Sequence, residues 1–135
     1  MQRDQDMTQL RRVMCVDDDP DIRTILDCSL SLLGGYEVQL CANGQEALDQ
    51  AVTFAPQLVL LDVMMPGMDG PQTLDRLRQL PCMKGVPVVF LTAKAMQGEL
   101  EGLLQHGATG IIVKPFDPVR LSADILIYWE HGHGN

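Results

Sequence analysis

The 135-residue chain lacks the features that would point to a membrane, a secretory route or a nucleic acid. No apolar run approaches the roughly 18 residues of a membrane span, and the polar start MQRDQDMTQLRR has no signal-peptide core. The formal net charge of −8 argues against binding to a phosphate backbone, which requires a basic surface, but it permits a basic protein partner or a cation. We therefore expect a cytoplasmic protein without membrane or direct nucleic-acid contacts.

Aromatic residues and patterned cysteines are also scarce. Aromatics make up only 4% of the chain, so the core has to be built from Leu, Val, Ile and Met. The spacings of the four cysteines match no zinc or redox motif, so we expect reduced, structural thiols. The sequence has no internal linker and no low-complexity segment, which indicates one domain.

What the sequence does contain is a fivefold alternation of apolar runs and amphipathic segments. The predicted strands are 12–16, 37–42, 58–63, 86–92 and 110–113. The predicted helices are 20–33, 45–54, 71–80, 96–106 and 119–130, the first capped by Asp19. Strict alternation with short loops predicts an α/β fold, a doubly wound parallel sheet with helices on both faces. We assign residues 11–130 to this domain, 1–10 to a flexible leader and 131–135 to a frayed tail.

Polar side chains collect where the predicted strands end. Strand one ends at Asp17 and Asp18, strand three at Asp62, strand four at Thr92 and strand five at Lys114. Ligands of open parallel sheets bind at the carboxyl ends of the strands. If the strand order is 2-1-3-4-5, strands one and three are neighbours and their three carboxylates converge.

Such a carboxylate cluster favours a divalent cation. Two unit charges about 4 Å apart repel by about 4 kcal/mol at an effective dielectric constant of 20. Oxygen ligands with open positions suit Mg²⁺ (or Mn²⁺), which also accepts phosphate oxygens. Asp62 could then act as a nucleophile that forms an aspartyl-phosphate, with the Lys114 ammonium and the Thr92 hydroxyl contacting other phosphoryl oxygens.

Four segments resemble the signatures of bacterial response-regulator receiver domains in order and spacing. They are CVDDDP, LVLLDVMMPGMDG, VVFLTAKA and GIIVKPF, and the resemblance covers roughly residues 11 to 130. It implies a (βα)5 fold with the flavodoxin-like strand order 2-1-3-4-5. It also implies a signalling switch of a two-component phosphorelay that catalyses only its own phosphorylation and dephosphorylation.

The resemblance assigns roles to individual residues. Asp62 matches the phosphoacceptor, Asp18 a direct Mg²⁺ ligand, and Asp17 an acidic neighbour that holds the ion through water. Met64 matches the position whose backbone carbonyl ligates the metal. Thr92 matches the switch hydroxyl.

Other matches concern the switch and the lifetime of the phosphoryl group. Lys114 matches the phosphate-pairing lysine, and its bond to Pro115 is often cis in the family. Ile111 stands where the family often has Tyr or Phe, so we expect no aromatic coupling to the switch threonine. Met64 and Lys94 occupy positions expected to tune how long the phosphoryl group survives.

The implied partners are a sensor histidine kinase or a histidine phosphotransfer protein as phosphoryl donor, and an output domain or protein. The last predicted helix carries more apolar residues than one buried face requires, namely Leu126, Ile127 and Trp129. We therefore expect a partner or homodimer face formed by helix four, strand five and helix five. The domain either stands alone or is a fragment of a longer protein.

Three other functions compete with this interpretation. A haloacid-dehalogenase-like phosphatase would need D-x-D with a threonine close behind after strand one, and Asp17-Asp18-Asp19-Pro20 lacks that threonine. A flavodoxin-like cofactor binder would need a Ser/Thr/Gly phosphate loop there. A receiver-like docking module that takes no phosphate is disfavoured by the intact acidic and lysine positions.

Overall fold

A computed structural model describes residues 9–93 and 96–133, apart from the side chain of His133. Most of the predicted leader, the last two residues of the predicted tail, and Lys94 lie outside the described residues. None of the described helices is long and apolar enough to cross a membrane.

The sheet has five parallel strands in the order β2-β1-β3-β4-β5, which confirms the predicted fold class and order. The strands are β1 Arg12–Val16, β2 Glu37–Cys41, β3 Leu58–Asp62, β4 Val88–Thr92 and β5 Gly110–Val113. Every residue of β3 and of β4 is buried. Burial on both faces explains why these two strands read as nearly continuous apolar runs.

In the described part of the chain, besides a short 3₁₀ helix at Pro81–Met83, five helices connect and cover the strands. They are α1 Pro20–Asp27, which continues as a π-helix over Cys28–Leu33, α2 Gly44–Phe54, α3 Gly70–Leu77, α4 Gln97–Gln105 and α5 Leu121–His133. The predicted cap of α1 is confirmed, because the Asp19 side chain accepts a hydrogen bond from the Asp21 N–H. Asp69 and Gln72 form a capping box at the start of α3.

The core has two layers, one on each face of the sheet. Side chains of α1 and α5 pack on one face, and side chains of α2 and α3 pack on the other. None of the nine residues of α4 is buried. Helix α4 therefore packs more loosely against the sheet than the other four helices, each of which has buried residues.

The structure differs from the sequence prediction in three details. The last helix continues to His133 instead of ending at residue 130. Leu10, assigned to the leader, is buried in the α1/α5 layer. Trp129 is only 4% exposed and belongs to the same layer, so it is not part of an outer surface.

Candidate functional site

Three carboxylates meet at the carboxyl ends of β1 and β3. One oxygen from each of Asp17, Asp18 and Asp62 lies within 4.8 Å of the others. Asp17 follows β1 and is held beside β2, because its N–H donates to the Cys41 carbonyl at 3.1 Å. Asp17 and Asp62 are buried, whereas Asp18 is exposed. The predicted convergence of strands one and three is therefore present.

Lys114 lies between two of these carboxylates. Its Nζ donates to Asp17 Oδ2 at 2.8 Å and to Asp62 Oδ1 at 3.3 Å. Burial alone would lower the pKa of Lys114, but the hydrogen bond and charge of Asp17, together with those of Asp62, raise it above its usual value. Lys114 is therefore a permanent cation in the site. Its bond to Pro115 is cis, as the resemblance implies.

Asp62 is in surroundings that oppose its own charge. Burial and the neighbouring Asp17 raise its pKa from 3.8 to about 6, although the charge and hydrogen bond of Lys114 act in the opposite direction. One ammonium is therefore not enough to balance three carboxylates. A second positive charge at this position would be stabilised strongly.

The donor set fits a hard divalent cation. All three side chains offer carboxylate oxygens, and the exposed Asp18 leaves one side of the cluster accessible from solvent. Met64, two residues after Asp62, has a side chain that is 61% exposed and points away from the core. An exposed methionine side chain next to buried Asp62 agrees with metal ligation by the backbone carbonyl. That ligation and the effect of the side chain on the phosphoryl lifetime stay predictions.

Thr92 ends β4 and is 2% exposed. It lines a cavity of about 310 Å³ between α3 and α4, together with Met64, Leu103 and His106. Across this cavity, His106 Nε2 lies 2.9 Å from Asp75 Oδ1 and 3.2 Å from the Pro71 carbonyl oxygen. Both partners accept, so Nε2 carries a proton. The cavity therefore leaves room for the Thr92 side chain or for helix α4, which packs loosely, to move.

Ile111 lies at the position that the family often fills with an aromatic residue. Its side chain packs against the α2/α3 layer, and its carbonyl accepts a hydrogen bond from the Tyr128 hydroxyl at 3.1 Å. The ring of Tyr128 covers Gly110, where any added Cβ would clash with the ring. An aromatic residue of α5 therefore contacts the backbone of the predicted switch position.

Two residues of the site were missed in the sequence. The guanidinium of Arg23 donates to the Asp17 carbonyl oxygen at 2.8 Å. A Cβ on Gly70 would lie 2.5 Å from the Asp62 carbonyl oxygen and 2.8 Å from the Val63 Cα. Gly70 stands directly after the capping residue Asp69, a position that indicates a helix start, and this start packs on the end of β3.

Comparisons with known proteins agree with this geometry. The response regulator receiver domain family matches residues 13–126. The response regulator Rre1 of Synechocystis sp. is 40% identical over 111 residues, 82% of this chain and 48% of that protein. The Escherichia coli histidine-protein kinase BarA is 34% identical over 128 residues, 90% of this chain and 13% of the kinase. The chain thus spans at most about half the length of these relatives.

A solved structure shows the same fold. The Vibrio cholerae chemotaxis protein CheY4 superposes with a TM-score of 0.83 at 32% identity, covering 89% of this chain and 99% of that one. The strand order, the acidic cluster and the matched residues all agree with one assignment. The chain therefore belongs to the response regulator receiver domain family, whose members are signalling switches of two-component systems.

Proposed function

We propose that Asp62 accepts a phosphoryl group from the phosphohistidine of a sensor histidine kinase or a histidine phosphotransfer protein. The observation that carries this proposal is the convergence of the Asp17, Asp18 and Asp62 carboxylates within 4.8 Å, with the Lys114 ammonium against two of them. This arrangement holds a nucleophile beside the positive charge that a transferred phosphoryl group requires.

Asp18, Asp62 and the Met64 carbonyl are the groups that would hold Mg²⁺ (or Mn²⁺), with Asp17 contacting it through water. When bound, the ion neutralises phosphoryl oxygens and the carboxylate repulsion. The fit rests on the chemistry of the donors, which are all oxygens and carry more negative charge than Lys114 balances.

The transfer itself requires few steps from the protein. A carboxylate oxygen of Asp62 attacks phosphorus, an O–P bond forms, and the P–N bond breaks as its electron pair leaves with the donor imidazole. Lys114 exchanges its contact with Asp62 for one with a phosphoryl oxygen. The hydroxyl of Thr92, at the end of the neighbouring strand β4, donates to another. With a pKa of about 6, Asp62 is mostly ionised at neutral pH and can act as nucleophile.

The face formed by α4, β5 and α5 is the proposed output surface. Exposed apolar side chains lie on α4, β5 and α5, namely Leu104, Val113, Leu126 and Ile127. Phosphorylation would pull Thr92 inward and let α4 move into the adjoining cavity, which changes this surface. We infer that it binds an output domain or protein, or a second copy of the chain, in the cytoplasm.

Incubation with acetyl phosphate and Mg²⁺ tests the proposal. Intact mass spectrometry should show one added phosphoryl group on the wild type, labile in hydroxylamine, and none on Asp62→Asn. An unchanged degree of modification in Asp62→Asn would contradict the assignment. Sustained turnover of p-nitrophenyl phosphate would instead support a phosphatase, which the family assignment does not favour.

A further inference from the structure

Arg23 lies where a helix ordinarily avoids positive charge. It is in the first turn of α1, and its own N–H donates to the carbonyl of the cap residue Asp19 at 3.0 Å. The partial positive charge of a helix start favours Asp or Glu there and disfavours Arg. Such a departure from a local preference calls for a compensating contact.

The compensating contact is the Asp17 carbonyl. The half-buried guanidinium of Arg23 turns back across the start of α1, and its Nη1 donates to this oxygen at 2.8 Å. Every other polar group of Asp17 also has a partner. The N–H donates to Cys41, Oδ1 accepts from the Asp19 N–H at 3.0 Å, and Oδ2 accepts from Lys114.

The bond to Arg23 differs from the other three in what it orients. The Asp17 carbonyl belongs to the peptide group that joins Asp17 to Asp18. Because a peptide group is planar, holding the Asp17 carbonyl also sets the orientation of the Asp18 backbone nitrogen and Cα. Asp18 is exposed and has no surrounding core to hold its side chain in place. The direction of the Asp18 side chain toward the pocket therefore depends on the orientation of the Asp17–Asp18 peptide group.

We propose that Arg23 is a positioning residue for the divalent-cation pocket, acting on Asp18 through the Asp17–Asp18 peptide group. The inference rests on the proposed function, because it assumes that the pocket binds Mg²⁺. Arg23 itself touches no carboxylate of the cluster in the hydrogen bonds that the structure describes; its described partner is the backbone oxygen. Its effect on the metal is thus indirect.

Positioning and simple charge predict opposite signs. A guanidinium near the pocket repels a cation, so if only its charge matters, removing it strengthens Mg²⁺ binding. If its hydrogen bond orients Asp18, removing it weakens Mg²⁺ binding, as happens when groups that orient metal ligands are lost. The sign of one measured change therefore separates the two explanations.

Isothermal titration of the full chain with Mg²⁺ at fixed ionic strength tests the proposal. Arg23→Met keeps the apolar stem and removes both donor and charge, and we expect its Mg²⁺ affinity to fall by about tenfold. Arg23→Lys restores a charged donor and should bind Mg²⁺ within about threefold of the wild type. Arg76→Met removes the same charge from an exposed site on α3 and should leave the affinity unchanged.

An affinity of Arg23→Met equal to or tighter than that of the wild type would overturn the proposal, as would Arg23→Lys binding as weakly as Arg23→Met. Melting temperatures in EDTA show whether each variant is folded, and Arg23→Gln replaces Arg23→Met if the latter is not. Failure of the wild type to bind Mg²⁺ would overturn the proposed function and this inference together. Normal wild-type binding with unchanged variants would overturn the inference alone.

Discussion

At the scale of single residues, the three consecutive aspartates after β1 have different surroundings. Asp17 is buried with a partner for each polar group, Asp18 is exposed at the mouth of the cluster, and Asp19 caps α1. The sequence was sufficient to separate Asp19 from the other two, because Asp-Pro at the end of an apolar run is a strong helix start. The sequence did not predict the contact between Arg23 and the Asp17 backbone, since side-chain bonds to carbonyls leave no spacing pattern.

The different surroundings lead to different effects of mutation. We expect Asp18→Ala to abolish Mg²⁺-dependent phosphorylation by acetyl phosphate, because a carboxylate of the pocket is lost. Asp19→Asn should leave it nearly intact, since asparagine caps helices as well as aspartate does and the backbone N–H still donates to Asp17. Intact mass spectrometry measures both, and equal losses in the two variants would contradict the division of roles.

The raised pKa of Asp62 predicts a pH-dependent stability in EDTA. The native carboxyl titrates near 6 and the unfolded one near 3.8, so between these values the native state binds more protons. The wild-type free energy of unfolding should therefore fall as pH rises through this window, and Asp62→Asn should lack that fall. Relative to the wild type, Asp62→Asn should be more stable by about 1 to 3 kcal/mol above pH ~6, and by little below pH ~4.

Urea denaturation at a series of pH values measures this difference. The compared quantity is the free energy of unfolding of Asp62→Asn minus that of the wild type. If this difference is lower at pH ~7 than at pH ~4, Lys114 outweighs the burial of Asp62 and the repulsion by Asp17.

At the scale of secondary-structure elements, the type and order of all five strands and helices followed from periodicity and turn signals, and most boundaries came within two residues. Two helix ends differ by more: α3 ends at Leu77 instead of residue 80, and α5 continues to His133, where Gly132 packs near Pro87 and Thr109. The start of α3 at Gly70 differs by only one residue, although its first turn meets the end of β3. The contact of Gly132 with Pro87 and Thr109 is not visible in the local sequence.

The start of α3 should tolerate no side chain at residue 70. In Gly70→Ala the new Cβ would lie 2.5 Å from the Asp62 carbonyl oxygen, so either α3 or the end of β3 has to move. We expect a loss of about 1 to 3 kcal/mol in the free energy of unfolding and slower phosphorylation of Asp62. Gly98→Ala on α4 is the matched control, since nothing lies within 4 Å of its Cβ position. Equal stabilities of the two variants would contradict the close packing at Gly70.

At the scale of the whole molecule, the sheet brings together residues that are almost one hundred positions apart, as Asp17 and Lys114 show. The sequence predicted this convergence because ligand sites of parallel sheets lie at the carboxyl ends of the strands and because the family resemblance implied the strand order. The sequence prediction was wrong for Trp129, which follows Leu121 and Ile125 at intervals of four residues and so shares their buried face of the helix. The outer face of α5 is formed instead by residues such as Leu126 and Ile127.

The corrected placement changes the predicted effect of mutations on association. Ile127→Ser should leave the melting temperature nearly unchanged, because the side chain is 53% exposed, and should weaken any self-association of the phosphorylated chain. Trp129→Ala should cost about 3 to 5 kcal/mol of stability, as expected for a large core side chain. Analytical ultracentrifugation with thermal denaturation checks both. Unchanged sedimentation of Ile127→Ser alongside a dimeric wild type would exclude this part of α5 from the interface.

We propose above all that Asp62, supported by Mg²⁺ and Lys114, is the phosphoacceptor. Titration with beryllofluoride, a stable mimic of the aspartyl-phosphate, tests it most directly when followed by ¹H–¹⁵N NMR in the presence of Mg²⁺. We expect the resonances of Asp62, Thr92 and α4 to shift in the wild type, and we expect no shift in Asp62→Asn or without Mg²⁺. The same shifts surviving in Asp62→Asn would contradict it.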